Sequence, residues 1–232
     1  MTTNRVSPSD WKTGLYASFD KVRSHKKPYE ISVGKFDITV LPGVFSPKYF
    51  TDSLWFAERL PAIVQKSDFL EIGTGTGIVA LYCAAAGASV TATDVNVEAV
   101  KNAARNARKV RLPVSVRQGD MFAPLFPGEK FDYMFWNHPF NSWSGPVPDT
   151  LMRAGIDPDY RDLKRYIRFG RRHLTGRGAH LLGSSDMAEI EHLNYVVEEC
   201  ACTLTVLEQG DMPIEDGSDV WNTYYIYRID PR

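Results

Sequence analysis

Cysteine is scarce: the 232-residue chain has three, Cys83, Cys200 and Cys202. An odd, irregularly spaced trio excludes a disulfide framework, shows no metal-ligand spacing and points to a reducing compartment. Long apolar runs are missing as well. The longest apolar-rich stretch, residues 78–86, is far shorter than the ~20 residues of a membrane helix. Residues 1–20 are polar and lack the hydrophobic centre of a signal peptide. Charge of one sign is also lacking. With 27 Lys+Arg against 28 Asp+Glu, bulk electrostatic capture of nucleic acid or of an anionic membrane is disfavoured. Repeats, low-complexity tracts and Pro/Ser-rich linkers are absent, so nothing marks a second domain. The composition that remains, 44% hydrophobic and 24% charged, suits one larger α/β domain with a packed core. The expectation is a soluble, cytoplasmic protein with no membrane partner and no metal, and with no signal for its oligomeric state.

Along the chain, residues 8–24 read as a polar helix capped by Ser7 or Ser9, with Trp11, Leu15 and Phe19 on one face. Residues 29–40 give two short β-branched and aromatic runs around Gly34, a hairpin signal. Together, residues 1–40 are expected to form an N-terminal flank or lid, and 41–232 the main domain. Residues 41–47, Leu-Pro-Gly-Val-Phe-Ser-Pro, form a loop. Thr51 or Asp52 then caps a helix whose apolar face is Leu54, Trp55, Leu60 and Ile63. From there the pattern alternates. Strands are predicted at 68–72, 89–93, 114–118, 131–136 and 179–183, and helices at 77–87, 96–109, 159–174 and 186–200. Such alternation implies βαβ units and a doubly wound, mostly parallel sheet. The chain ends differently: 202–209 and 221–229 are strand-like runs with no helix between them, an antiparallel hairpin on the sheet edge.

The segment 69–81 runs from an apolar strand through Gly73, Thr74, Gly75 and Gly77 into a helix. The first two glycines allow a tight turn and close ligand approach, and the third allows helix and strand to pack closely. A nucleotide-sized pocket at the carboxyl ends of the strands is the expected result. Glu71 lies inside the strand, where a buried carboxylate needs a donor such as a loop amide or a ligand cation. Asp94, with Val95 after it, ends the next strand about 20 residues after the glycine turn, where a carboxylate can accept from both ribose hydroxyls. Asp120, beside Met121, follows the third strand and is placed to accept from an adenine amine. Taken singly, Asp94 could equally be an N-cap and Asp120 a turn carboxylate. At successive strand ends they act as a set.

This combination resembles the class I S-adenosylmethionine-dependent methyltransferases over roughly residues 40–232. The resemblance implies S-adenosylmethionine as cofactor. It places the methionine part on Glu71, Gly73, Thr74, Gly75 and Gly77, ribose on Asp94 and Val95, and adenine on Asp120 and Met121. A dinucleotide fold would want a third glycine where Ile78 stands.

The strand 131–136 runs into Asn137-His138-Pro139-Phe140. Pro139 fixes its own backbone and restricts His138 before it. A rigid turn at a strand's carboxyl end can aim the Asn137 amide oxygen and the His138 main-chain carbonyl into the cleft, two acceptors for the two N–H groups of an amine. The segment looks like the N-P-P-[YF] motif of the small-domain methyltransferases, which include release-factor glutamine and several RNA guanine and adenine methyltransferases. It departs from that motif at His138, where the first proline would stand. The resemblance implies transfer of a methyl group to an amino or amide nitrogen, with Asn137, His138, Pro139 and Phe140 forming the catalytic turn. Asn137 also borders the cofactor, and Phe140 stacks on a flat substrate. The alternatives are a turn-capping Asn137 with a core Phe140, and a His138 side chain that acts as a base.

Arg161, Lys164, Arg165, Arg168, Arg171 and Arg172 crowd into one predicted helix. They could grip RNA phosphates, or form a solvated face partnered by Asp157, Asp159 and Asp162. The short N-terminal region and near-neutral charge favour a small-molecule or peptide amine as substrate. RNA base or protein glutamine methylation is the alternative, and a non-catalytic partner subunit on the same fold is another.

Overall fold

The structure, a computed structural model, describes residues 4–5, 7–143, 145–215 and 217–232. The first three residues and Val6 of the polar N-terminal stretch, and Ser144 of the loop after the Asn137 turn, lie outside the described residues. Helix α1 (Pro8–Ser24) starts where the Ser7 hydroxyl accepts from the Asp10 N–H at 3.1 Å. It buries Trp11, Leu15, Phe19 and Val22, the face that the spacing predicts. β1 (Tyr29–Val33) and β2 (Phe36–Val40) pair as the expected antiparallel hairpin. These first 40 residues, expected as a flank or lid, contribute α1 and the inner face of the hairpin to the main core.

Helix α2 (Asp52–Val64) buries Trp55, Phe56, Leu60 and Val64, whereas Leu54 and Ile63, expected on that face, are only half-buried. Thr51 is its N-cap residue, as expected, but without a side-chain capping bond. Thr51 already has helical dihedrals and its hydroxyl donates to the Pro213 carbonyl. Then come β3 (Asp68–Ile72), α3 (Ile78–Ala85), β4 (Ser89–Asp94), α4 (Val97–Val110), β5 (Val114–Gln118), β6 (Phe131–Asn137) and the two-residue strands β7 (Asn141–Ser142) and β8 (Ile156–Asp157). Helix α5 (Arg161–Gly170), β9 (Leu174–Ser185), α6 (Ile190–Glu199), β10 (Cys202–Pro213) and β11 (Trp221–Pro231) complete the chain.

Seven strands form one sheet in the order β10-β11-β9-β6-β3-β4-β5, parallel from β9 to β5 and closed at one edge by the antiparallel pair β10 and β11. This is the doubly wound, mostly parallel α/β fold expected from the alternation. Side chains on the central strands alternate between its two faces. Phe69, Phe135 and Leu181 join the core with α1, α2 and α3, while Leu70, Met134 and Leu182 join the core with α5 and α6.

The helix expected at 159–174 is shorter. Both oxygens of Asp157 accept from the N–H groups of Asp162 and Leu163 at 2.9 Å, and Asp159 and Tyr160 sit at φ of 52° and 47°. These fix the start of α5 at Arg161, and a 3-10 turn over Arg171–His173 ends it. Strand β9 is longer than the predicted 179–183, because its pairing to β6 runs from Leu174. No helix among the described residues is long and apolar enough to cross a membrane.

Candidate active site

The strand order reverses between β3 and β6: β3 leads through α3 to β4 on one side, and β6 lies on the other. Connections leave such a pair in opposite directions, so a crevice opens at the carboxyl ends of the strands. The glycine turn after β3 and the Asn137 turn after β6 face each other across it. Trp136, paired with Ile72, floors the gap: its Nε1 lies 3.4 Å from where a Cβ on Gly73 would sit.

The cleft has an empty volume of about 1100 Å3 and is open to solvent. Of the residues expected to meet a cofactor, Glu71, Gly73, Thr74, Gly75, Asp94, Val95, Asp120, Met121 and Asn137 line it. Gly77 does not. It sits at φ +85° as the first turn of α3 begins, and its α-carbon faces Ala103 on α4, so its work is packing. Pro139 also lines the cleft, while His138 and Phe140 line a neighbouring pocket.

Burial dominates the electrostatics. Glu71 accepts from the Thr74 hydroxyl at 2.6 Å, yet burial pushes its carboxyl up to about 8. The neutral form is therefore favoured in the fold, and stability from this group is fully present below about 4.5 and declines as pH rises toward about 8. Glu71→Gln, which keeps an acceptor for Thr74, is expected to flatten that decline in the cofactor-free protein. Thermal melts across this range check it; parallel curves for parent and variant would reject it.

Asp94 is buried, which raises its pKa, and its two oxygens accept from Gly75 N–H at 2.9 Å and Asn96 N–H at 2.8 Å. The carboxylate thus ties the glycine turn to β4, and each oxygen keeps a lone pair for a further donor. The capping alternative is excluded, because the α4 N-cap is Asn96, whose side chain accepts from Glu98 N–H. Asp120 is less free than the sequence suggests: Arg165 donates to its Oδ2 at 2.9 Å, and Arg153 stands 3.7 Å from its Oδ1. Met121 has φ +50°, and its carbonyl accepts from the Thr93 hydroxyl at 3.2 Å.

The Asn137 turn shows the most telling geometry. Asn137 Nδ2 donates to Asp52 Oδ2 at 2.7 Å, and its Oδ1 is buried without a partner. Asp52 is buried at the start of α2, with its pKa raised by burial, and its other oxygen accepts from Ser53 N–H at 2.7 Å. A carboxylate that accepts from the amide nitrogen fixes the amide orientation and turns its oxygen loose. In the sequence Asp52 has only the signal of a cap, because it stands 85 positions from Asn137 and nothing local links the two.

His138 departs from the base alternative. Its ring is buried, which pulls its pKa down to about 3, and its Nε2 lies 3.1 Å from the Ser184 hydroxyl. So weak a base stays neutral and takes no proton from a substrate near neutral pH. Phe140 is buried and packs edge-on to His138 with centroids 5.9 Å apart. Its carbonyl accepts from the buried Tyr160 hydroxyl at 2.6 Å, a brace that the sequence did not reveal.

The basic helix is largely committed within the chain. Lys164 pairs with Glu199 at 2.6 Å, Arg165 with Asp120 and Asp162, and Arg171 donates to Cys202 Sγ. Internal partners, the second of the two alternatives, thus hold Lys164, Arg165 and Arg171, with Asp162 among them as expected.

The family described as the methyltransferase small domain matches residues 35–156. A putative protein N5-glutamine methyltransferase of Methanocaldococcus jannaschii is 35% identical over 100 residues, covering 43% of this chain and 48% of that one. The chain thus spans about half the length of that relative. A release factor glutamine methyltransferase of Aliivibrio fischeri is 30% identical over 208 residues, covering 82% of this chain and 72% of its own. Among solved structures, the T. thermophilus 16S rRNA N2 methyltransferase in complex with AdoMet and guanosine superposes with a TM-score of 0.62 at 19% identity, covering 89% of this chain and 50% of that one. That likeness shows the shared fold. With the family match spanning just over half of the chain, this protein belongs to the methyltransferase small domain family, whose enzymes use S-adenosylmethionine.

Proposed function

We propose that this protein transfers a methyl group from S-adenosylmethionine to an amino or amide nitrogen. The observation that carries the reading is the Asn137 amide, clamped through its nitrogen by Asp52, with its oxygen buried and unpartnered, on a residue that lines both the cleft and the neighbouring pocket.

The cleft residues fit the cofactor. An added Cβ on Gly75 would meet nothing within 4 Å, so the turn leaves open space beside β3. Glu71, neutral in the cofactor-free fold, would give up its proton to pair with the ammonium group of the cofactor, Asp94 and Val95 would hold the ribose, and Asp120 and Met121 the adenine. When bound, the cofactor supplies an electrophilic methyl on a sulfonium. The chain's own work is orientation. Asn137 Oδ1 accepts one N–H of the substrate, the His138 carbonyl accepts a second, and Phe140 packs on the flat group that carries them. As positive charge grows on the nitrogen, both acceptors bind it more strongly, which is differential stabilisation of the transition state. His138, held neutral, is not required as a base, because the proton can leave after the methyl arrives.

The relatives cited act by name on glutamine or ribosomal RNA. That favours a nitrogen carried on a macromolecule, ahead of the free small amine expected from the sequence, as the first substrate to test. Labelled cofactor with a cell extract, split afterwards into small-molecule, protein and RNA fractions, is the deciding experiment. Label should appear in one fraction and vanish with Asn137→Ala. Tight cofactor binding without label in any fraction would overturn the reading in favour of a non-catalytic subunit.

Asp52→Ala tests the clamp. The freed amide samples other orientations, so kcat should fall about tenfold to a hundredfold at saturating cofactor. Unchanged kcat would reject the role.

A further inference from the structure

Beside the cofactor cleft lies a second, smaller pocket that is open to solvent. Trp11 of α1, Phe50, Phe140 and Tyr224 wall it, and Asn137 belongs to both spaces. An aromatic pocket joined to the cleft through the residue that orients the nitrogen is where the group carrying that nitrogen would sit.

Asn141 also lines this pocket and is fully buried. Its Nδ2 donates to the Gly155 carbonyl at 3.2 Å, which sets the amide orientation, and its Oδ1 has no partner. Asn141 therefore repeats the Asn137 arrangement: an amide held through its nitrogen, with a buried acceptor to spare. Two unsatisfied buried oxygens in one small pocket are costly in the folded protein and call for donors. His138, the third pocket residue with an unpaired buried ring atom, is neutral and so adds no cation. The two unpaired amide oxygens of this pocket are both acceptors.

Resting on the N-methyltransferase reading above, we infer that Asn141 is a specificity-determining residue. Its amide oxygen reads a second N–H beside the reacting nitrogen, so the pocket selects planar groups in which an NH2 adjoins another N–H. Groups that present the NH2 alone leave the Asn141 oxygen unpaired and bind less well. This is the logic by which a site built to hydrogen-bond a group rejects the analogue that lacks it.

Three flat bicyclic probes of nearly equal shape test it, titrated into the whole 232-residue chain saturated with S-adenosylhomocysteine so that the cleft is filled. 2-Aminobenzimidazole presents an NH2 and an adjacent ring N–H, 2-aminobenzothiazole an NH2 without that ring N–H, and 2-methylbenzimidazole the ring N–H without an NH2. Calorimetry on the parent protein should give about a tenfold preference for 2-aminobenzimidazole over 2-aminobenzothiazole. Asn141→Leu should bring that ratio to about one while the preference for an NH2 over a methyl, set by Asn137, persists. Asn141→Ser, whose hydroxyl is too short to reach, should give the same result and serves if the leucine variant fails to fold. A parent ratio near one, or a ratio unchanged in a folded Asn141 variant, overturns the inference. Asn137→Ala separates the two claims: if it too leaves every preference unchanged, the placement of the substrate nitrogen in this pocket fails as well.

Discussion

Asn137→Ala is expected to lower turnover about a hundredfold to a thousandfold, while the dissociation constant for S-adenosylmethionine should stay within about threefold of the parent value. The size follows from what the side chain does. Its oxygen is buried, unpaired and held in place by the 2.7 Å bond from its nitrogen to Asp52, so it needs no reorganisation to receive an N–H. A preorganised acceptor aimed at growing positive charge counts most in the transition state and little in cofactor binding. Hence kcat falls and cofactor affinity does not. Steady-state rates on the identified substrate, with calorimetry for the cofactor, measure both quantities. Equal losses in the two would mean that Asn137 holds the cofactor rather than the nitrogen.

Gly77→Ala is expected to destabilise the fold by about 3 kcal/mol, whereas Gly75→Ala costs about 1 kcal/mol. Both glycines have positive φ, +85° and +55°, so each variant carries the left-handed penalty of an L-residue. The difference is space. A Cβ on Gly77 would stand 3.0 Å from the Ala103 Cβ and 3.1 Å from its Cα, and α4 cannot retreat without leaving the hairpin that it holds. Asn102 donates to the Thr39 carbonyl at 2.7 Å, and Asn106 both accepts from the Thr39 N–H and donates to its carbonyl, each at 2.9 Å. A Cβ on Gly75 meets nothing within 4 Å and points at open cleft. In melting temperature the Gly77 variant should lose roughly 6–12 °C. The Gly75 variant should melt close to the parent and weaken cofactor binding instead. Comparable melting losses in the two variants would show that backbone strain alone, and not the α3–α4 approach, sets the requirement at Gly77.

The parts legible in the sequence are those written in near neighbours. The alternation of short apolar runs with amphipathic stretches predicts five strands of the main sheet, and two strand-like runs without a helix between them predict the other two, because strand and helix periods are local properties of the chain. The same holds for Ser7 as the cap of α1, the glycine turn after β3, and the carboxylates Glu71, Asp94 and Asp120 at successive strand ends, all of which line one cleft. The start of α5 departs from the apolar pattern because a side chain a few residues outside that pattern, Asp157, takes the first N–H groups of the helix.

What tertiary structure alone decided is pairing and burial. The clamp on Asn137 comes from Asp52, 85 positions earlier; the brace on Phe140 comes from Tyr160; and the Asp120 partner is Arg165. No periodicity encodes such contacts. Burial likewise turned His138 from a candidate base into a neutral wall, and turned Glu71 into an acid that holds its proton to about 8. An amino-acid order states which groups are present and how the chain turns locally. Which of them lose water, and which partners they then find, follows from folding strands that are distant in sequence into one sheet, since desolvation and hydrogen bonding depend on neighbours in space.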